Sequence, residues 1–381
     1  MSIYDEDALK LHRENRGKLC VAAKVALKNK YDLSRAYTPG VAAVSRAIFE
    51  NTGRMYELTP KGNSVAVVSD GSAVLGLGNV GAAAAYPVME GKALLFKEFA
   101  GIDAYPLVLS TQNTDEIVET VCRIAEGFGG INLEDIAAPR CFEVEARLKE
   151  RLKIPVFHDD QHGTAIVVLA GLINALKVVG KDKSVKVLIN GSGAAGIAIT
   201  QLLHAYGFQN LLVLDTVGAL YQGRAENMNS MKTEIAGMTN PERKSGKLAD
   251  VMAGADVFIG VSKAGLVNKE MVKSMAAKAI VFAMANPDPE ISEADAKEAG
   301  AAVVATGRSD SQNQLNNVLV FPGIFRGALD ARIITFTEAM FLKAAEALAS
   351  LVPSPSAEKI IPSPFEPGVS EAIARAVKEG Q

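Results

Sequence analysis

Residues 183–215 constrain the fold more than any other stretch. The apolar run SVKVLIN ends at Asn190 and feeds directly into Gly191-Ser192-Gly193-Ala194-Ala195-Gly196. Helical spacing follows over 197–206. A second apolar run, 211–214, ends in Asp215, nineteen residues beyond Gly196. Strand, glycine turn, helix, strand and terminal acid in that order call for a parallel βαβ unit. The glycines let the backbone approach a pyrophosphate at the helix N-terminus. Asp215 is positioned to accept from the adenosine ribose hydroxyls. A nicotinamide dinucleotide, NAD or NADP, is therefore expected. The carboxylate slightly favours NAD because it repels a 2′-phosphate, with Arg224 nine residues on as a counterweight.

Further strand–helix units follow, with strands expected at 256–260, 279–285 and 302–306. The second ends at Asn286-Pro287-Asp288, and the third leads through a polar loop to Asn316-Asn317. Ligands of open parallel sheets bind at the carboxyl ends of the strands. That places Asn286, and the pair Asn316 and Asn317, facing a cofactor–substrate cleft. Beyond 321–323 the chain reads as helix over 334–351, a Pro/Ser-rich link, and a short helix over 370–379.

Upstream, residues 153–165 read KIPVFHDDQHGTA. A short strand (154–157) hands over to a long apolar helix (165–179) through Asp159 and Asp160. One Asp would serve as an N-cap; two adjacent carboxylates need a source of positive charge. A second acidic pair, Glu134-Asp135, also follows a short apolar run, with a helix over about 139–152 between them. If the two strands are parallel neighbours, both pairs emerge at one sheet edge. Carboxylates converging there without Cys or His select a hard cation, Mg²⁺ or Mn²⁺. Two separate solvated acidic turns are the alternative. His158 and His162 flank the second pair and are read as structural, since the oxygen set is complete without them; His204 reads as a helix-surface residue.

Residues 5–30 have helical spacing and suit packing or a dimer contact. Tyr37-Thr38-Pro39-Gly40-Val41 places a tyrosine on a turn, its hydroxyl free to face a cleft. Residues 76–81 form a second GxGxxG, but the strand before it stops early and Asp103 precedes its strand, so these glycines read as close helix–strand packing. Lys92, among small and apolar neighbours, is expected to have its pKa lowered toward a general base's range.

With 49% hydrophobic and 22% charged residues, the composition is that of a water-exposed globular chain. A net charge of −3 gives no reason to expect nucleic acid or an anionic membrane as partner. Three cysteines without metal spacing suit a reducing, cytoplasmic setting. No signal-peptide pattern or uninterrupted apolar run of about 18 residues is visible.

Together these stretches resemble the malic enzyme family in its short bacterial form. The five motifs occur in the family's order, from Tyr37-Thr38-Pro39-Gly40-Val41 to 316–323. The resemblance implies oxidative decarboxylation of malate to pyruvate. It implies Glu134, Asp135 and Asp160 as metal ligands and Lys92 as the base that takes the C2 hydroxyl proton. Asp159 would tune Lys92, and Tyr37 would protonate C3. Asn286 and Asn317 would hold substrate carboxylate and nicotinamide, and the metal would act as Lewis acid as CO₂ leaves. Larger members carry an arginine shortly before the GLG segment; here Ser72-Ala73-Val74 stands instead, leaving the partner of the substrate's C4 carboxylate open to Asn317 or a second subunit. No acyltransferase-like domain of the kind some bacterial members carry is expected after residue 381.

The expected architecture is α/β. A substrate and metal domain (1–161) precedes a parallel-sheet dinucleotide domain (162–330), and a helical extension (331–381) folds back. A homodimer is expected. The competing readings are a hydroxyacid or amino-acid dehydrogenase without decarboxylation, separated by chelator sensitivity, and a non-catalytic nucleotide-binding module.

Overall fold

The computed structural model describes residues 3–74 and 76–381. Two parallel sheets carry the chain. The first comprises β1 (Ser64–Ser69), β2 (Asp103–Val108), β3 (Gly130–Leu133) and β4 (Val156–His158), in the order β2-β1-β3-β4. The second comprises β5 (Val187–Asn190), β6 (Leu211–Leu214), β7 (Val257–Gly260), β8 (Ile280–Ala283) and β9 (Val303–Thr306), in the order β6-β5-β7-β8-β9. Their central strands are buried along their whole length, as expected where helices cover both faces of a parallel sheet.

β3 and β4 are parallel neighbours, with Leu133 opposite His158. This register brings Glu134-Asp135 and Asp159-Asp160 out side by side at one sheet edge. In the second sheet β5 lies between β6 and β7, so the strand order reverses beside Gly191, the place where an open α/β sheet forms a ligand crevice.

Helix Thr164–Val179 joins the two halves. Most of its residues are buried, and it packs against the helices Ala194–Tyr206 and Glu338–Ser350. By length and hydropathy the segment 159–179 could cross a membrane, but 72% of that window is buried inside the protein, so it is a core helix. One apolar core runs from Val65 and Phe96 through this helix to Phe325 and Ile373.

The C-terminal helices fold back. Phe321–Ala331 lies on the helix Gly81–Ala100, and Val369–Glu379 packs on both Phe321–Ala331 and Glu338–Ser350. The sequence reading missed Phe321–Ala331, whose start is set by Pro322 in the first turn, a position proline tolerates. It also carried the first helix too far. That helix ends at Asn15, where Arg16 and Gly17 take positive φ, and the next begins at Lys30.

Gly76, Gly78 and Gly81 all have positive φ. A Cβ on Gly76 would stand 2.5 Å from Pro287 Cδ. This glycine loop therefore lets the first sheet's loops meet the Asn286-Pro287 turn of the second, whereas helix–strand packing had been expected of it.

Candidate active site

The helix Gly81–Ala100 carries Lys92 inward, only 8% exposed. Its Nζ lies 2.6 Å from Asp159 Oδ2 and 2.9 Å from Glu134 Oε1. Asn317 Oδ1 stands 3.5 Å away, and the Phe321 ring lies 4.4 Å below the ammonium. β4 passes through a π-helical turn, Asp159–Gly163, into the long helix. His158 stands at the N-cap and makes no side-chain capping bond, while Asp159 Oδ1 is buried without a partner and Asp160 Oδ2 accepts from the Asp135 N–H, so neither Asp serves as the N-cap.

Glu134, Asp135 and Asp160 each present a carboxylate oxygen within 4.8 Å of the others. Asp160 Oδ2 accepts from the Asp135 backbone N–H at 2.9 Å, and Asn132 Nδ2 donates to Glu134 Oε2 at 3.0 Å. Asp135 has φ +54°, and its Oδ2 is buried without a hydrogen-bond partner. A left-handed backbone at a non-glycine residue costs energy and is characteristic of functional sites. An orphaned buried carboxylate oxygen among hard oxygen donors fits a divalent cation.

The electrostatics lead to the same chemistry. Burial raises Glu134 to about 7, Asp135 to about 9, Asp159 to about 7 and Asp160 to about 6, and neighbouring carboxylates add to the shift. Burial alone would lower Lys92, but Asp159 and Glu134 outweigh it and hold its proton more tightly than usual. The expected lowering of Lys92 is therefore corrected, because two carboxylates touch the ammonium. Lysine and acids all hold protons tightly because one ammonium cannot balance four carboxylates in a site this dry. The cluster is short of positive charge.

The dinucleotide cradle is at the end of β5. Gly191 has φ +126°, and a Cβ there would lie 2.6 Å from the Val261 carbonyl. A Cβ on Gly196 would strike the Gly191 carbonyl, whereas one on Gly193 would meet open space. The helix Ala194–Tyr206 begins behind Gly193 without a side-chain cap. Its first amides, including those of Ala194, Ala195 and Gly196, are thus open to a phosphate, and Ser192 lies on the same turn.

Asp215 is not free. Arg224 holds both of its oxygens, Lys232 Nζ lies 2.8 Å from Oδ2, and Val217 N–H and Asn227 also donate to it. These cations hold the Asp215 carboxyl far below the usual range despite its burial. The counterweight expected of Arg224 is present and is joined by Lys232, so the carboxylate's charge is balanced and the slight ground for favouring NAD is removed.

The remaining candidates divide. Asn317 joins the Lys92 cluster. Asn286 follows β8, with its amide beside Gly307. The Asn316 side chain caps the turn Asn317–Leu319 by accepting from Val318 N–H at 2.9 Å, which gives it a local structural role. Tyr37 is 66% exposed, and its hydroxyl has no hydrogen bond among the described residues. The chain does not bring it to Lys92. His158 is fully buried with both ring nitrogens unpartnered, Nδ1 3.7 Å from Asp160 Oδ2. His162 donates to Glu145 and stacks on Phe341. His204, read as a surface residue, is half-buried, its Nδ1 inaccessible and unpaired.

Sequence reasoning missed Arg140. Its Nη2 lies 2.8 Å from both Asp70 Oδ2 and Ser72 Oγ, and its Nε is buried without a partner. Ser72 Oγ also accepts from the Ala137 N–H, and the Ala73 N–H donates to the Asp135 carbonyl. Arg140 thus reaches the loop of the metal-ligand candidates from the helix Arg140–Arg151. The signal was the isolated Pro-Arg opening that helix, five residues after Asp135.

A lysine–carboxylate cluster at one parallel-sheet edge and a dinucleotide cradle at another define a two-sheet, nucleotide-dependent oxidoreductase. Family comparison narrows this. Residues 15–116 and 110–149 match the model of the malic enzyme N-terminal domain, and residues 161–379 that of the malic enzyme NAD binding domain. The chain belongs to the malic enzyme family. It is 59% identical over 375 residues to the bifunctional malic/malolactic enzyme of Bacillus subtilis, covering 98% of this chain and 92% of that one. It is 56% identical to the NAD-dependent malic enzyme of Geobacillus stearothermophilus, covering 95% and 76%. The crystal structure of the Thermotoga maritima NAD-dependent malic enzyme superimposes with a TM-score of 0.95 at 50% identity, covering 98% of this chain and 99% of that one.

Proposed function

We propose that this chain catalyses the metal-dependent oxidative decarboxylation of L-malate to pyruvate and CO₂ with reduction of NAD or NADP. The observation that carries the reading is Lys92 set against Glu134 and Asp159, beside the trio Glu134, Asp135 and Asp160. In this reading residues 1–161 hold substrate and metal, 162–330 hold the dinucleotide, and 331–381 brace the two. The working form is a cytoplasmic homodimer.

Glu134, Asp135 and Asp160 would hold Mg²⁺ or Mn²⁺, which would supply Lewis acidity to the reaction. The backbone of Gly191–Gly196 and the Asn286 side chain would hold the dinucleotide, which would supply the acceptor for the C2 hydride. Once the three acids share their charge with a cation, Lys92 is left with Asp159 as its anionic partner. It takes the C2 hydroxyl proton as C2 is oxidised. The C3–C4 bond then breaks, CO₂ leaves with C4, and its electron pair passes to the C2 oxygen, where Lys92 returns the proton. The family resemblance assigns protonation of C3 of the resulting enol to Tyr37; as C3 gains that proton Lys92 takes back the one on the C2 oxygen, giving the ketone, and solvent returns the tyrosine's proton. Asn317 orients a carboxylate beside Lys92. Arg140, whose Nη2 lies 2.8 Å from Ser72 Oγ in the stretch where larger members carry an arginine, is the candidate for the C4 carboxylate; a planar guanidinium with an unused Nε–H suits that task.

The test is reduced-nicotinamide absorbance with malate and Mn²⁺, with NAD and NADP in parallel and pyruvate, oxaloacetate and lactate assayed in the same tubes. Metal-dependent reduction with pyruvate as product supports the reading. Oxaloacetate alone would make the protein a simple dehydrogenase. Lactate without net reduction would align it with the malolactic half of the Bacillus relative's name.

A further inference from the structure

Glu290 closes the run Asn286-Pro287-Asp288-Pro289-Glu290, and its side chain is wholly out of solvent. Burying a carboxylate is costly unless its charge is balanced. Among the described residues no lysine, arginine or histidine pairs with it; backbone N–H groups alone oppose the rise that burial gives its carboxyl. Oε1 accepts from the Ser262 N–H and Oε2 from the Ala285 N–H, each at 3.0 Å. No step of the malate reaction uses this group.

The two donors come from different strands. β7 ends at Gly260 and β8 at Ala283. The backbone bonding runs one residue further on each, with the Val261 N–H on the Asn190 carbonyl at 3.0 Å and the Met284 N–H on the Gly260 carbonyl at 2.9 Å. At the next residues, Ser262 and Ala285, the Glu290 carboxylate accepts where a backbone carbonyl would have done so. Room for it is made at Gly260, where a Cβ would strike the carboxylate. The main chains of the two loops also meet: the Gly265 N–H donates to the Pro289 carbonyl and the Val267 N–H to the Glu290 carbonyl, both at 3.1 Å.

Both tethered loops reach the dinucleotide site. Val261, beside Ser262, packs its carbonyl against the Gly191 turn, 2.6 Å from where a Cβ on Gly191 would lie. Ala285 is followed by Asn286, and Pro287 lies against Gly76 of the first sheet's glycine loop. Pro287 and Pro289 have fixed φ, which stiffens the link from Asn286 to Glu290. Hydrogen bonds to an ionised acceptor are roughly twice as strong as neutral ones. One carboxylate therefore fixes the spacing between the Gly191 turn and the Asn286 turn.

We propose that Glu290 is a positioning residue for the dinucleotide: its carboxylate bridges the loops after β7 and β8 and so sets the distance between the pyrophosphate turn and Asn286. This rests on the assignment of Gly191–Gly196 and Asn286 to the dinucleotide, and the test needs no turnover, so its outcome is separate from that of the malate reaction. NADH and NADPH are titrated by nicotinamide fluorescence, without malate, into the parent, Glu290→Gln and Glu290→Asp. The rise in melting temperature with Mn²⁺ is the control. Gln keeps the length but turns an NH₂ group toward one of the two N–H donors. Asp keeps the charge but is one methylene too short to span them. Both variants are expected to raise Kd for the better-bound dinucleotide by about 10-fold or more, the scale of one charge-assisted hydrogen bond, with the Mn²⁺ response unchanged. In steady state the loss should fall on KM for the dinucleotide and spare KM for malate. An Asp variant that binds like the parent while the Gln variant does not would make charge the requirement and overturn the bridge. A lowered melting temperature with unaltered Kd would overturn the proposal by leaving Glu290 a purely structural group. Equal weakening of dinucleotide and Mn²⁺ binding would do the same. A parent that binds neither dinucleotide removes the premise and the proposal with it. Gly260→Ala, which sets a methyl group against the carboxylate, carries the same expectation should the Gln variant not fold.

Discussion

Lys92 Nζ lies 2.6 Å from Asp159 Oδ2, with both side chains almost wholly out of solvent. The ammonium thus joins the acids that follow two neighbouring strands, since Glu134 lies 2.9 Å from the same nitrogen. Removing one partner of a buried, hydrogen-bonded charge pair strands the other, so this contact gives structure as well as reactivity.

Lys92→Ala is expected to lower kcat by a factor on the order of 10² to 10⁴, the usual contribution of a general base. Mn²⁺ should still raise its melting temperature, because the three metal-ligand candidates are untouched. Steady-state rates beside a thermal shift with and without Mn²⁺ separate the two effects. A variant that keeps near-normal turnover would remove Lys92 from the role of base.

Asp160→Asn should remove the metal response itself. A ligand present at 100 times its Kd stabilises the native state by about 2.7 kcal/mol. That shift should be present in the parent with saturating Mn²⁺ and nearly absent in the variant. Equal shifts in both would mean that the cation binds elsewhere.

Much of the architecture was legible because it rests on backbone chemistry that restricts residue identity. Gly191, with φ +126° and the Val261 carbonyl against it, admits little but glycine, so the turn is visible in the sequence. The two acidic pairs were legible as one cluster only on the condition that β3 and β4 be parallel neighbours, and they are. What the sequence concealed depends on distance in space. Arg140 meets Ser72 across 68 positions. Lys92 looks like a desolvated lysine until Asp159, 67 positions away, is seen to touch it. The isolation of Tyr37 reflects what residues 18–59 do not touch, and no local pattern reports that.

Asp215→Asn should shift the cofactor preference toward NADP. In the parent, Arg224 and Lys232 spend their charge on this carboxylate. With the carboxylate gone, both cations are free to meet a 2′-phosphate. The ratio of kcat/KM for NADP over NAD is expected to rise about tenfold, equivalent to ~1.4 kcal/mol. An unchanged ratio would place the 2′-position away from this cluster.

Arg140→Lys tests the substrate's C4 carboxylate. The charge stays, so Asp70 keeps a cation, but the planar fork is lost. KM for malate should rise by about 10- to 100-fold with a smaller change in kcat, the scale of one charge-assisted hydrogen bond. KM for NAD serves as the control. If both constants rise together, Arg140 supports the loop and does not grip the substrate.

Glu145 offers a pH test away from the reacting groups. It is buried, yet His162 donates to both its oxygens, Lys149 lies 2.8 Å away, and the His158 backbone N–H reaches it at 3.3 Å. Burial would raise its carboxyl, but the charges of His162 and Lys149 prevail and hold it well below the ordinary carboxylate range. A depressed native pKa contributes stability that is fully present above the unfolded value of about 4.3 and is lost as pH falls toward the native value. The metal-free protein should therefore lose melting temperature steadily on acidification below about pH 5. Glu145→Gln should start lower at neutral pH, on the order of 3–5 kcal/mol less stable for a broken buried pair, and should show a shallower slope on the acid side. Melting curves from pH 3 to 7 in the presence of a chelator measure both. A variant whose acid slope is as steep as the parent's would assign that dependence to other carboxylates and leave Glu145 as a packing residue between the helix Arg140–Arg151 and the turn that carries Asp159.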